Sequence, residues 1–209
     1  MKILKNPIKH CKICFKLLEN NDLYEVLNRD SCICELCQSK LVPRFINFEI
    51  DGVDGLSIYE YDDNIKAILY QLKGCYDVEL APVFLNRFKN ELHLIYRKYL
   101  LVAAPSYIEE DDNRGFRHVE EIFRCLNLQI IYPITKTSHF KQAENTRKSR
   151  KGISHYLQLT SPDEIKDKNV LIIDDVSTTG STIKAMINLV KKAGVKKIKI
   201  LVMSKRIIK

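Results

Sequence analysis

The segment Val170-Leu171-Ile172-Ile173-Asp174-Asp175-Val176-Ser177-Thr178-Thr179-Gly180-Ser181-Thr182 constrains the fold of this chain more than any other. Four apolar residues read as a buried strand, two adjacent carboxylates close it, and a small hydroxyl-rich turn opens a helix over residues 182–193. The turn offers consecutive backbone N–H groups and the hydroxyls of Thr178, Thr179, Ser181 and Thr182, while Gly180 lets the backbone bend toward a ligand. With a helix N-terminus behind it, such a turn is a phosphate cradle. The lysine of a nucleotide P-loop, GxxxxGK[ST], is absent. Asp174 and Asp175 would repel a phosphate unless they face another group, and the vicinal hydroxyls of a ribose meet that need. A sugar 5-phosphate therefore fits the segment: phosphate in the turn, ring hydroxyls toward the acids. A plain capped strand–turn–helix junction accounts for the Ser and Thr residues but not for the paired acids.

The flanking sequence supplies the rest of an α/β domain. Residues 45–50 alternate as a strand, Asp51-Gly52 reads as a turn, and residues 56–61 continue as a second strand, which suggests a small hairpin over the main domain. Ile65, Ile68, Leu69 and Leu72 give residues 62–72 the spacing of an amphipathic helix. Residues 78–99 read as another helix, with Pro82 in its first turn. From there strands at 100–104, 128–132, 155–159, 169–173 and 197–203 alternate with helical stretches at 119–126 and 182–193. That order implies a parallel sheet with right-handed crossovers, and ligands bind beyond the carboxyl ends of such strands.

The front of the chain has a different character. Of seven cysteines, Cys11, Cys14, Cys34 and Cys37 form two CxxC knuckles with a short segment between them. This is the spacing of a four-thiolate structural Zn²⁺ site, in which metal binding supplies most of the folding energy of a segment too short for its own core. Cys34 completes the second CxxC, although Cys32 is also within reach of the same ion. Residues 1–44 thus read as a zinc module and residues 45–209 as the larger domain. The start of the chain lacks the apolar core of a secretory signal, and no run is apolar enough to span a membrane, so the expected location is cytoplasmic. Charge is unevenly divided: residues 136–209 hold 17 Lys+Arg against 6 Asp+Glu, whereas residues 1–135 hold 17 against 20. A basic field of this kind suits phosphates on a small ligand or on nucleic acid, and equally a solvated lysine-rich surface.

The acid pair followed by Thr-Thr-Gly-Ser-Thr resembles the signature of the type I phosphoribosyltransferases, whose fold is a Rossmann-like parallel sheet flanked by helices. That resemblance implies phosphoribosyl pyrophosphate as ligand. Ser177, Thr178, Thr179, Gly180, Ser181 and Thr182 would take its 5-phosphate, and Asp174 and Asp175 would be the catalytic pair on the ribose hydroxyls. Ala104, Pro105 and Ser106 would line the pyrophosphate loop, and Lys73, Arg114 and Lys136 would offset the pyrophosphate charge. Mg²⁺ would bridge pyrophosphate and ribose oxygens. The cysteine knuckles narrow the match: residues 11–205 resemble the ComF/ComFC family of competence-associated phosphoribosyltransferase-like proteins. Further points of likeness are the helix from Tyr61 to Lys73, Arg114-Gly115-Phe116, and Gln142, Arg147 and Arg150 in a polar hood over residues 136–154. Two departures stand out. Arg117-His118 replaces the family's Asn-Gln, and Glu109-Glu110-Asp111-Asp112 replaces a run of arginines. His118 reads as a surface or helix-capping histidine in preference to a general base. The family resemblance implies a role in DNA uptake during natural transformation, with single-stranded DNA and competence proteins at the inner membrane as partners and a peripheral place on that membrane. The alternative is an active phosphoribosyltransferase of nucleobase salvage.

Overall fold

The computed structural model describes residues 9–18, 32–136 and 157–207. The hood residues Gln142, Arg147 and Arg150 lie outside that range. The chain enters as a two-strand clasp, β1 (Lys9–His10) and β2 (Leu17–Leu18), and reaches the short helix α1 (Glu35–Lys40). Next come β3 (Ile46–Ile50) and β4 (Val53–Glu60), which form an antiparallel hairpin across the Asp51-Gly52 turn. Helix α2 (Asp63–Gly74) starts where Asp62 accepts the backbone N–H of Ile65 at 2.9 Å, an N-cap, and it buries Ile65, Ile68, Leu69 and Leu72 as expected.

The hairpin is not a cover over the domain. β4 pairs in parallel with the last strand, so the hairpin is one side of the main sheet. The reason is visible in its burial: Val53, Ser57, Ile58 and Tyr59 are all buried, a run that only an interior strand can satisfy. Residues 78–99 also depart from expectation. Instead of one helix there is a 3-10 turn over Val78–Leu80, α3 (Ala81–Leu85), a second 3-10 turn over Asn86–Phe88, and α4 (Lys89–Tyr96). Leu80, Ala81, Val83, Phe84 and Leu85 are all buried, which exceeds the single stripe that a surface helix can hide. Breaking the helix turns consecutive side chains inward.

The remaining elements alternate: β5 (Leu100–Ala103), α5 (Ile108–Arg114), α6 (His118–Phe123), β6 (Ile130–Ile131), β7 (Ile134–Lys136) and β8 (Leu157–Leu159). β9 (Asn169–Ser177), α7 (Ser181–Lys192) and β10 (Lys197–Lys205) close the chain. The main sheet has the order β3-β4-β10-β9-β5-β6, with every pairing parallel except that of β3. The expected third core strand is a different structure: β8 pairs antiparallel with β7 in a separate two-stranded ribbon. Ile134 and Leu157 of that ribbon are buried among the residues beneath α7.

Alternation along β9 and β10 shows why three layers form. Leu171, Ile173, Leu201 and Met203 enter one buried cluster, with Leu72, Phe84, Ile122 and Phe123 from the helices on that face. Val170, Ile172, Ile200 and Val202 enter the other, with Ile183, Met186, Ile187 and Val190 of α7. Cys11, Ile33, Cys34, Cys37 and Leu41 join the first cluster, so the cysteine module is anchored on the domain through shared apolar burial.

Candidate functional site

Parallel pairing of β5 and β9 brings two loops together at the carboxyl edge of the sheet. Ala104 donates its backbone N–H to Ile173 at 2.8 Å, which sets Ala104, Pro105 and Ser106 beside the acids that follow Ile173. β9 runs on through both acids to Ser177, and Thr178 and Thr179 are exposed in the turn after it. Gly180 has φ 72°, and a Cβ there would meet Ile50 Cδ1 at 2.8 Å, so glycine is required on two counts. Lys184 donates its backbone N–H to Gly180 at 2.8 Å, which begins α7 and aims its N-terminal amides back at the turn, where Ser181 donates its own to Thr179 Oγ1 at 3.4 Å. The Thr179 and Ser181 hydroxyls lie 2.9 Å apart. Ser177 is buried, and its Oγ has no hydrogen-bond partner among the described residues. A buried hydroxyl left unpaired is uncommon in a folded protein.

The two acids differ. Asp175 is buried and its carboxylate is fully engaged: Val176 N–H donates to Oδ1 at 2.6 Å, and Oδ2 takes Lys73 Nζ at 2.6 Å and His118 Nε2 at 3.1 Å. Burial opposes its charge, but the His118 bond and the Lys73 ammonium outweigh that and hold the carboxyl far below the usual range. Asp174 is half-buried, and its Oδ1 accepts the Asp175 backbone N–H at 2.9 Å. Burial, and then the charge of Asp175, push its carboxyl well above the usual range. Asp174 is therefore the less engaged of the two acids.

Lys73 is not a free helix-end lysine; α2 delivers it to Asp175. His118 is neither a surface group nor a side-chain cap, since it is buried at the first position of α6 with both ring nitrogens engaged. Its only sequence signal was the unusual Arg117-His118 pair. The Arg114 side chain is also buried: NH1 donates to Asp111 at 3.1 Å and contacts His118 Nδ1 at 3.0 Å, and Nε donates to the Lys73 carbonyl at 3.3 Å. Gly115, at φ 79°, ends α5 and turns the chain so that Arg114 and His118 face one another. The acidic tract is thus partly neutralised within the site. Asp111 meets Arg114 and lies 3.9 Å from Arg117, while Glu109, Glu110 and Asp112 are exposed. Lys136 stands 4.6 Å above the Tyr107 ring and lines a pocket with Ala104, Pro105, Ser106 and Arg117. The structure therefore gathers the acid pair, the turn, residues 104–106, Lys73, Arg114 and Lys136 at one edge.

The cysteines form a second centre. Cys11, Cys14, Cys34 and Cys37 present sulfurs all within 4.8 Å of one another, and Cys32 is not among them. Thiolates on a tetrahedral Zn²⁺ with bonds of about 2.3 Å sit roughly 3.8 Å apart. Cys14 Sγ and Cys34 Sγ are 3.7 Å apart. The hairpin of the first knuckle is set by Phe15 donating to the Cys11 carbonyl at 2.8 Å, and Lys12 ties it to the second by donating to the Cys32 carbonyl at 2.9 Å. Burial raises the Cys11 thiol, yet backbone N–H groups of Cys14, Cys34 and Ile13 bring it down to about 7. The four residues fit a zinc ion.

A parallel sheet with an acid pair and a hydroxyl-rich turn at its carboxyl edge defines a protein of the phosphoribosyltransferase fold, preceded by a four-cysteine module. The family model for the phosphoribosyl transferase domain matches residues 112–209. Over 90% of its length the chain is similar to competence protein ComFC of Streptococcus pneumoniae, at 26% identity and 96% coverage of that protein. The two matches bear out the resemblance to the ComF/ComFC branch of the type I phosphoribosyltransferases. Solved structures align over part of the chain. One is a hypoxanthine phosphoribosyltransferase from Staphylococcus aureus, with 19% identity, 60% of this chain, 62% of that chain and a TM-score of 0.39. Another is a phosphoribosylpyrophosphate synthetase from Mycobacterium smegmatis, with 17% identity, 57% of this chain, 33% of that chain and a TM-score of 0.35. The chain spans less than two thirds of the length of either enzyme.

Proposed function

We propose that this chain is a ComFC-like protein that binds phosphoribosyl pyrophosphate with Mg²⁺ and serves DNA uptake in natural transformation. The observation that carries the ligand reading is the exposed Thr178–Thr179 turn at the N-terminus of α7, which follows the Asp174–Asp175 pair at the carboxyl end of β9 with the unpartnered Ser177 Oγ between them. In this reading Ser177, Thr178, Thr179, Gly180, Ser181 and Thr182 hold the 5-phosphate, and Asp174 accepts from the ribose hydroxyls with Asp175 behind it. Ala104, Pro105 and Ser106 present the pyrophosphate loop, with Lys136 and Arg114 as its nearby positive charge. Bound Mg²⁺ would neutralise pyrophosphate oxygens while retaining water ligands. Residues 1–44 form the zinc module, with Cys11, Cys14, Cys34 and Cys37 as ligands, and residues 45–209 form the phosphoribosyl-binding domain.

The alternative reading is an active phosphoribosyltransferase, in which the same residues stabilise the positive charge that develops on the ring as the anomeric C–O bond breaks. A mass-spectrometric screen of nucleobases with phosphoribosyl pyrophosphate and Mg²⁺ separates the two. Binding without any nucleotide product supports the binding protein, and a nucleotide formed with release of pyrophosphate supports the enzyme.

A specific surface favours nucleic acid as a second partner. At the pole opposite the acids, Arg97 and Lys98 follow α4, Lys168 precedes β9, and Lys196 and Lys197 open β10; all are exposed. Lys196 donates its backbone N–H to the Lys168 carbonyl at 2.8 Å, and the Asn169 side chain donates to the Lys98 carbonyl at 3.2 Å, which places three lysines on adjacent strands. Neighbouring strands lie about 4.8 Å apart. None of these five cations takes part in an ion pair with a described residue. A groove lined by His93, Tyr99, Asn127 and Gln129 runs alongside. Exposed cations with an aromatic ring and amides suit single-stranded DNA. Among the described residues no helix is long and apolar enough to cross a membrane, so contact with competence proteins at the inner membrane would be peripheral.

A further inference from the structure

We infer that His118, locked by Arg114, is the positioning residue that orients Asp175. The inference rests on the phosphoribosyl reading of the site and on the inventory of hydrogen-bond donors and acceptors around the ring. A guanidinium donates and never accepts. Arg114 NH1 lies 3.0 Å from His118 Nδ1, so Nδ1 must be the acceptor there. The ring proton then resides on Nε2, which lies 3.1 Å from Asp175 Oδ2. Arg114 on one side and the acceptor-only Asp175 carboxylate on the other thus select the same tautomer, which makes the histidine a donor aimed at the carboxylate. Arg114 has little freedom to do otherwise, because Asp111 holds its NH1 and the Lys73 carbonyl holds its Nε.

The geometry also says what His118 does not do. Both nitrogens are engaged within the protein and the side chain is only 8% exposed, so no ring nitrogen is free for a bound ligand. It acts through Asp175 and is not a base. Lys73 shares the same carboxylate oxygen but is 36% exposed at the rim, within reach of an arriving phosphate. When Lys73 turns to a ligand anion, His118 and the Val176 N–H remain on Asp175. The carboxylate then keeps its orientation without the ammonium.

Calorimetry with phosphoribosyl pyrophosphate and Mg²⁺ tests the inference in His118→Phe, His118→Gln and Asp175→Asn. His118→Phe should weaken affinity roughly ten- to hundredfold, the worth of a buried hydrogen bond to a charged group. His118→Gln, whose amide N–H reaches Asp175, should recover most of it. In the Asp175→Asn background His118→Phe should have almost no further effect, because the histidine acts only through that carboxylate. Additive losses, or a His118→Gln no better than His118→Phe, would overturn the inference. If the unaltered protein fails to bind this ligand at all, the phosphoribosyl reading falls, and nitrogen-resolved NMR of the His118 ring still decides. The ring is read in the Asp175→Asn background, where the amide can donate or accept: an Nε2-protonated tautomer that becomes mixed on adding Arg114→Met upholds the lock, and one that persists unchanged contradicts it.

Discussion

Asp174 and Asp175 are neighbours in sequence with opposite energetic roles. Asp175 ionises far below the usual carboxylate range because His118 and Lys73 meet it against the opposing effect of burial. Its charge therefore stabilises the fold above the ordinary carboxylate value, and that contribution is lost as pH falls through its lowered native value. Asp174 is displaced upward by burial and by the charge of Asp175, so its ionisation weakens the native state as pH rises from the ordinary carboxylate value toward its raised one. Replacing Asp174 with Asn should raise the melting temperature of the ligand-free protein by a few degrees at neutral pH. Asp175→Asn should lower unfolding free energy by roughly 1.5–3 kcal/mol, since Lys73 loses its counter-charge and the His118 N–H its carboxylate acceptor. Melting curves of the two variants at pH 7 check this, and a shift of both in the same direction contradicts it. The acid pair and its turn were legible in the sequence, because chemistry that needs adjacent residues leaves a contiguous trace. The pairing of Lys73, Arg114 and His118 with those acids was not, since it depends on α2, α5 and α6 meeting at one strand end.

At the scale of elements, the sequence was informative where one segment settles its own structure. Helix α2 carries its cap and its apolar stripe within itself, and strands β5, β9 and β10 are apolar runs that can only be interior. The hairpin β3–β4 and the strand β8 were misplaced because β10 and β7, with which they pair, lie well away in the chain. Residues 78–99 have helical composition, and tertiary burial of Val83, Phe84 and Leu85 overrode it. The cysteine module shows the opposite case, since two knuckles written in the sequence meet as a four-sulfur cluster. Elemental analysis should find about one Zn²⁺ per chain, lost in Cys11→Ser and retained in Cys32→Ser. Because Cys11, Cys34 and Cys37 share the apolar cluster of Leu72 and Phe84, chelation should also lower the melting temperature of the whole protein. Retention of full metal by Cys11→Ser would remove the zinc assignment.

The whole molecule has two poles. The acids and the hydroxyl-rich turn lie at the carboxyl edge of the sheet, and the exposed cations lie at the amino edge, so the two ligands proposed above would not compete for one site. Net charge is +8, and its effect depends on where the cations stand. The variant Lys98→Ala with Lys168→Ala and Lys196→Ala should weaken single-stranded DNA binding and flatten its salt dependence. The slope in log salt should fall by about 0.7 for each phosphate that the variant no longer neutralises. The same variant should hold phosphoribosyl pyrophosphate unchanged, and loss of both ligands together would argue that the poles are not separate.

Ligand binding at the acid pair is the claim on which the rest depends. Titration calorimetry of phosphoribosyl pyrophosphate with Mg²⁺ into the unaltered protein, and into the double variant Asp174→Ala with Asp175→Ala at unchanged zinc content, tests it directly. Saturable binding by the former and none by the latter is the predicted result; equal affinity in both would contradict it.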